Sequence, residues 1–155
     1  MKILFVCLGN ICRSPLAEGI FRDKISKNKL AVETDSAGTG SWHAGENPDP
    51  RAVATAKKFG VDISRLVARQ FSVDDFTRFD RIYVMDKSNY RDVMALAKET
   101  GHKEKVDFFL NVSHPGRNKD VPDPWYGGSE GFVEVYKMLE LACEELLAKI
   151  EKDTW

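Results

Sequence analysis

Apolar positions fall into two patterns along the chain, and each predicts a different element. Lys2–Leu8 (KILFVCL) is a continuous apolar run rich in branched residues. Such a run suits a parallel strand covered on both faces. Leu16, Ile20, Phe21 and Ile25 then recur at helical spacing. They predict a helix over Pro15–Asn28, with Ser14 as N-cap and Pro15 at the first helical position. Ala31–Ser36 (AVETDS) alternates and predicts a second strand. Gly38, Gly40, Gly45, Pro48 and Pro50 mark a long loop. A short helix is expected over Pro50–Phe59, stopped by Gly60. Ala68–Phe79 reads as a connector with one helical turn. Arg81–Met85 is the third strand, Lys87–Thr100 a helix closed by Gly101, and Val106–Leu110 the fourth strand. Asn111–Gly128 reads as loop. Phe132–Ile150 is an amphipathic helix with Phe132, Tyr136, Leu139, Cys143, Leu146 and Leu147 along one side.

Strands that alternate with helices imply the α/β class, with right-handed crossovers and a parallel sheet between helical layers. Ligands of such sheets bind beyond the carboxyl ends of the strands. The turn after Leu8 lies at that end of the first strand.

Composition narrows the picture. A length of 155 residues suits one domain over 1–155. Lys plus Arg is 23 against 24 for Asp plus Glu, so overall charge argues for neither a nucleic-acid nor a membrane partner. An anion site must therefore be built locally. Cys7, Cys12 and Cys143 are an odd number of cysteines, which suggests no disulfide framework and a reducing compartment. The run Ile3–Leu8 is too short for a signal-peptide core, and Arg13 follows where a cleavage region would lie. A cytoplasmic monomer is expected.

The first turn, Cys7-Leu8-Gly9-Asn10-Ile11-Cys12-Arg13-Ser14, concentrates chemistry. Gly9 and Asn10 tolerate left-handed backbone angles, so the chain can curl with its amides inward. A helix follows, and its unpaired N–H groups and dipole face the same space. Together these make a cradle suited to phosphate. Arg13 adds a planar fork for two oxygens of a tetrahedral oxyanion. Cys7 would sit at the cradle floor, where the helix start and Arg13 favour thiolate over thiol. A thiolate beneath a phosphoryl group is a nucleophile aimed at phosphorus. Ser14 can donate a hydrogen bond to the sulfur as it leaves. Alone, Cys7 would read as a small buried hydrophobe. The apolar strand before it and the Ser-Pro helix start after it favour the chemical reading.

Transfer of phosphate to a thiolate expels an oxyanion that needs a proton. Asp120–Gly128 (DVPDPWYGG) is a loop expected at the same sheet edge, with Asp123 flanked by Pro122 and Pro124. Asp123 is the candidate acid; otherwise it is a residue that starts a surface turn. Trp125 and Tyr126 can wall a flat substrate group. Trp42, in the Gly-rich loop after the second strand, either forms the other wall or packs on a neighbouring helix. His43, His102 and His114 show no ligand spacing among themselves or with the cysteines, and read as surface residues rather than a metal site.

These residues resemble the low-molecular-weight protein tyrosine phosphatases. The resemblance covers nearly the whole chain: VCLGNICRSP, DSAGTGSWHAG, ARQ at Ala68–Gln70, FDRIYVMDKSN and DPWYGG. It implies a three-layer αβα fold whose four-stranded parallel sheet has the order 2-1-3-4. It implies hydrolysis of phosphotyrosine in proteins or peptides, and of aryl phosphates, through a phosphocysteine at Cys7, with no metal and no cofactor. Arg13 matches the phosphate-binding arginine and Asp123 the general acid, which later serves as base. Leu8, Gly9, Asn10, Ile11, Cys12 and Ser14 match the substrate-binding loop, and Trp42, Trp125 and Tyr126 the cleft walls. Asn10 and Ser36 match a pair that holds the loop's backbone. Asp86 matches an aspartate near the acid loop. Cys12 matches a cysteine that pairs with the oxidised nucleophile and spares it from over-oxidation; its alternative is simple packing under the loop. Two features depart from better-known members: Trp125 stands where many have a first tyrosine, leaving Tyr126 alone for phosphorylation, and Leu66 stands where a histidine is frequent.

Three rivals are weaker. An arsenate reductase on this scaffold needs relay cysteines in a mobile segment, and none lies between Cys12 and Cys143. A phosphoarginine phosphatase tends to have threonine in place of Ile11. A non-catalytic phosphate-binding module has no use for Cys7 and Asp123 together.

Overall fold

The computed structural model describes residues 1–154. Four strands, β1 (Lys2–Cys7), β2 (Glu33–Gly38), β3 (Arg81–Val84) and β4 (Val106–Phe108), form one sheet in the order β2-β1-β3-β4. Every pairing is parallel. The helices are α1 (Arg13–Lys27), α2 (Pro50–Lys58), α3 (Asp75–Arg78), α4 (Lys87–Leu96), α5 (Thr100–Lys103) and α6 (Ser129–Glu151).

The run in β1 divides by alternation. Ile3 and Phe5 enter one core with Leu16, Ile20 and Phe21 of α1 and Phe132, Tyr136 and Leu139 of α6. Leu4 and Val6 enter the other, with Phe76, Ile82, Val84 and Val93. A strand buried on both faces needs apolar residues at every position, which is why its pattern is continuous. Phe5 packs against Phe21 and Phe109, with centroids at 6.0 and 4.9 Å. These contacts fix α1 and the chain after β4 against the middle of the sheet.

Several boundaries differ from the sequence reading, each for a local reason. Helix α1 opens at Arg13, with Cys12 at the cap and no side-chain cap. Ser14 is therefore inside the first turn, and its hydroxyl is used elsewhere. Pro15 is tolerated there because a first-turn N–H has no intrahelical acceptor. Strand β2 starts at Glu33, opposite Lys2 where β1 begins, and runs on to Gly38 opposite Cys7. The Lys87–Thr100 segment breaks at Ala97, whose ψ of 114° is extended, and a separate turn α5 follows. Strand β4 ends at Phe108 and gives way to a 3₁₀ turn over Phe109–Val112. Helix α6 begins at Ser129, with its expected apolar side facing the core. No helix among the described residues is long and apolar enough to cross a membrane.

Candidate active site

Strand β1 delivers Cys7 to the carboxyl edge of the sheet and the chain curls at once. Asn10 takes a φ of 57°. The curl is held from β2: Thr39 N–H donates to the Cys7 carbonyl and Gly40 N–H to the Leu8 carbonyl, both at 2.9 Å. This needs Gly38, since a Cβ there would lie 2.8 Å from the Leu8 carbonyl oxygen. Helix α1 follows, and Arg13 and Ser14 are its first two residues. Their N–H groups have no intrahelical acceptor, so they and the positive end of the helix dipole serve the curled loop.

A directed chain of hydrogen bonds supports this loop from behind. The Asn10 amide donates to the Ser14 hydroxyl at 2.7 Å and to the Ser36 hydroxyl at 2.9 Å. Each hydroxyl then has its own hydrogen to give. Ser36 donates to the Glu18 carboxylate at 2.6 Å. Ser14 lies 3.0 Å from the Cys7 sulfur, the acceptor left for its hydrogen. The Asn10 side-chain oxygen accepts from the Arg69 N–H at 3.1 Å. Burial pushes the Glu18 carboxyl up, although Ser36 and the paired Arg22 pull it down. Arg69 is itself held by Asp35 at 3.1 Å and by the buried Asp75 at 3.0 Å.

The Arg13 guanidinium is buried at the loop's edge. Nη1 donates to Asp86 at 2.6 Å and to the Val121 carbonyl at 2.9 Å, and Nη2 lies 3.6 Å from Asp123. Burial opposes its charge; the Cys7 sulfur, Asp86 and Asp123 outweigh this and raise its pKa. Asp86 divides its two oxygens. Oδ1 accepts from Asn89 N–H at 2.8 Å and caps α4, while Oδ2 holds Arg13. Asp86 is thus an anchor for the Arg13 guanidinium. Asp123 caps the 3₁₀ turn Pro124–Tyr126 through Oδ1, which accepts from Trp125 N–H at 3.0 Å. Its Oδ2 faces Arg13.

These groups line a cleft of about 220 Å³. Cys7, Cys12 and Arg13 lie at its base, with Leu8, Gly9 and Ile11 beside them. Trp42, His43, Trp125 and Tyr126 form the rim, together with Asp123. Trp42 lines the cleft; its ring lies over Gly40, where a Cβ would come within 1.9 Å. The side chains of Asn10, Ser14 and Ser36 are buried behind the loop and support it. Burial and the Asp49 carboxylate push the Cys12 thiol up. Cys143 is fully buried, its thiol 3.8 Å from the Ala17 carbonyl. Leu66 is partly buried and packs against the core cluster that includes Ile11 and Cys12.

One correction concerns His43, read from sequence as a plain surface residue. Its ring packs on Gly9, lies 5.9 Å from the Trp125 ring, and meets Glu46 at 3.1 Å. Adjacency to Trp42 in the same loop was the available signal. Glu18, Asp49, Arg51 and Arg69 also escape the sequence reading, because a charged residue carries no periodic mark of its distant partner. Among the described residues no three His, Cys, Asp or Glu side chains converge as metal ligands.

Comparison with known proteins agrees with this architecture. The family model for low molecular weight phosphotyrosine protein phosphatases matches residues 2–155. A protein of that name from Schizosaccharomyces pombe is 46% identical over 153 residues, covering 97% of each chain. The Bacillus subtilis low molecular weight protein-tyrosine-phosphatase YfkJ is 40% identical over 157 residues, covering 99% of this chain and 97% of its own. The crystal structure of an Entamoeba histolytica protein tyrosine phosphatase with Hepes in its active site superposes with a TM-score of 0.93 at 38% identity, covering 100% of this chain and 99% of that one. On the combined strength of fold, whole-chain match and identity, this chain belongs to the low molecular weight phosphotyrosine protein phosphatases.

Proposed function

We propose that this chain hydrolyses phosphotyrosine in proteins or peptides, and related aryl phosphates, through a phosphocysteine at Cys7. The observation that carries the reading is the convergence of three groups on one cleft: the Cys7 sulfur, the Arg13 guanidinium and the Asp123 carboxyl. In the first step the sulfur attacks phosphorus and the P–O bond to the tyrosyl oxygen breaks. Asp123 gives its proton to that oxygen. Arg13 and the inward amides of the loop hold the non-bridging oxygens as charge redistributes over them. In the second step water attacks the phosphocysteine and Asp123 takes the water's proton. The P–S bond breaks and the sulfur leaves as thiolate, accepting the Ser14 hydrogen bond. Trp42, Trp125 and Tyr126 give a flat aryl group faces to lie against. The relatives named as tyrosine phosphatases support the substrate class. Three free thiols suit a reducing cytoplasm.

The test is phosphate release from a phosphotyrosyl peptide with a metal chelator present, comparing wild type with Cys7→Ser. Turnover is expected in the wild type and none in the variant. Turnover that persists in Cys7→Ser, or that the chelator abolishes, overturns the assignment.

A further inference from the structure

We propose that Arg51 is a positioning residue for the general acid, clasping the acid loop to the phosphate loop. The proposal rests on the acid role assigned to Asp123 above. Arg51 is the second residue of α2, directly after Pro50. Its guanidinium spends its donors in two directions. Nε and Nη2 grip the two oxygens of Asp49 at 3.0 and 2.9 Å. Nη1 reaches the carbonyls of Trp125 at 3.2 Å and Gly127 at 3.4 Å, more than 70 residues further along the chain. Its plane lies near two rings, with Cζ 5.2 Å from the Trp125 centroid and 4.7 Å from that of Phe132.

Asp49 completes the connection. It is buried, it caps α2, and its N–H donates to the Ile11 carbonyl at 2.8 Å. Ile11 belongs to the phosphate loop. A continuous path therefore runs from Ile11 through Asp49 and Arg51 to the backbone on both sides of Tyr126. Asp123 lies two residues before Trp125, and its own oxygen accepts from the Trp125 N–H. Fixing the Trp125 carbonyl fixes the short turn that Asp123 caps.

The chemistry of the clasp demands arginine. Only a planar fork can hold a carboxylate with one edge and two carbonyls with the other, while its face lies on aromatic rings. A lysine keeps the charge and loses the geometry. Hydrogen bonds from Arg51 hold the Asp49 carboxyl below the usual carboxylate range, so the pair is charged at neutral pH.

The consequence concerns proton transfer. A displaced acid penalises expulsion of a strongly basic oxyanion and leaves a weakly basic one nearly unaffected. Loss of the clasp should therefore appear as leaving-group dependence, which a general loss of fold or of phosphate binding would not produce.

The experiment measures kcat/KM for phenyl phosphate and p-nitrophenyl phosphate with wild type, Arg51→Met, Arg51→Lys, Asp123→Asn and the double variant Arg51→Met with Asp123→Asn. For Arg51→Met, a fall of about 10–100-fold is expected with phenyl phosphate and of no more than about threefold with p-nitrophenyl phosphate. Arg51→Lys should resemble Arg51→Met, and the double variant should match Asp123→Asn alone. The ratio between the two substrates cancels the folded fraction, so a variant that folds poorly still gives an answer. Equal losses on both substrates, or a further loss on top of Asp123→Asn, overturn the clasp. If Asp123→Asn itself shows no leaving-group dependence, the acid assignment fails instead, and that outcome is seen separately.

Discussion

Asn10, Cys12 and Ser14 of the phosphate loop are 3%, 5% and 0% exposed, whereas Trp125 and Tyr126 of the acid loop are 42% and 91% exposed. The first loop is held by hydrogen bonds between buried side chains, directed from Asn10 outward to Cys7 and Glu18. The second is held at its backbone carbonyls by two arginines, Arg13 at Val121 and Arg51 at the exposed turn of Trp125 and Gly127. Under the mechanism proposed above, the difference follows the tasks. Stabilising a phosphoryl group in flight requires donors already in place, because reorganisation would cost what they supply. The acid must meet leaving groups of varied shape and then turn to a water molecule. A loop at the surface with an external tether suits that work.

The largest effect that sharpens this contrast should come from Asn10. Asn10→Ala removes the donor to two buried hydroxyls and the acceptor for the Arg69 N–H, and it places an alanine at a φ of 57°. Orphaned buried groups and left-handed strain together should cost about 2–4 kcal/mol of unfolding free energy. Asn10→Gly relieves the strain and restores no hydrogen bond, so it should recover only about 1 kcal/mol of that. Urea unfolding of both variants measures the split. A glycine variant as stable and active as wild type would show that conformation alone, not the directed network, supports the loop.

A smaller effect is expected from Ser14→Ala. Ser14 is 3.0 Å from the Cys7 sulfur, and in the proposed mechanism it donates to that sulfur as negative charge builds on it in leaving. That favours departure of sulfur in the second step and does not help its attack in the first. A hydrogen bond to a charged group is worth about 1.5–3 kcal/mol, so phosphoenzyme breakdown should slow by about 10–100-fold. Formation should slow much less. Rapid-mixing kinetics with p-nitrophenyl phosphate would show a larger burst and slower steady state; equal slowing of both steps would remove Ser14 from the leaving-group role.

The sequence announces these two loops very unequally. Strand β1 and the inner side of α6 are legible because burial on two faces and on one face leave a run and a 3.6-residue period respectively. Cys7 and Arg13 are legible as neighbours because one tight turn joins them. The placement of Asp123 follows from the parallel sheet, which brings loop ends to one edge. Ser14 misleads as an N-cap, since Ser-Pro before an apolar period also marks a helix start two residues later than the real one. The break at Ala97 has no glycine or proline to mark it. Glu18 and Arg51 escape because their partners, Ser36 for one and the Trp125 carbonyl for the other, are distant in sequence.

The smallest effect tests what kind of anchor ends the network. Glu18 is buried, and burial pushes its pKa above the ordinary carboxylate value despite Arg22 and Ser36. A carboxyl whose folded pKa is raised binds its proton more tightly in the native state. Its contribution to stability is therefore fully present below the unfolded pKa and is lost as pH rises through the folded one. Glu18→Gln keeps an oxygen to accept from Ser36 and removes the titration. Relative to wild type, the variant should gain stability as pH rises from about 4 to 7, by no more than about 1 kcal/mol. Paired urea titrations at several pH values cancel the titration of every other group. If wild type instead gains on the variant as pH rises, the ion pair with Arg22 dominates, and the loop's support is electrostatic. If the variant gains, Glu18 serves as an acceptor for Ser36. The branch of the network from Asn10 through Ser36 to Glu18 then rests on hydrogen-bond direction and burial rather than on the charge of Arg22.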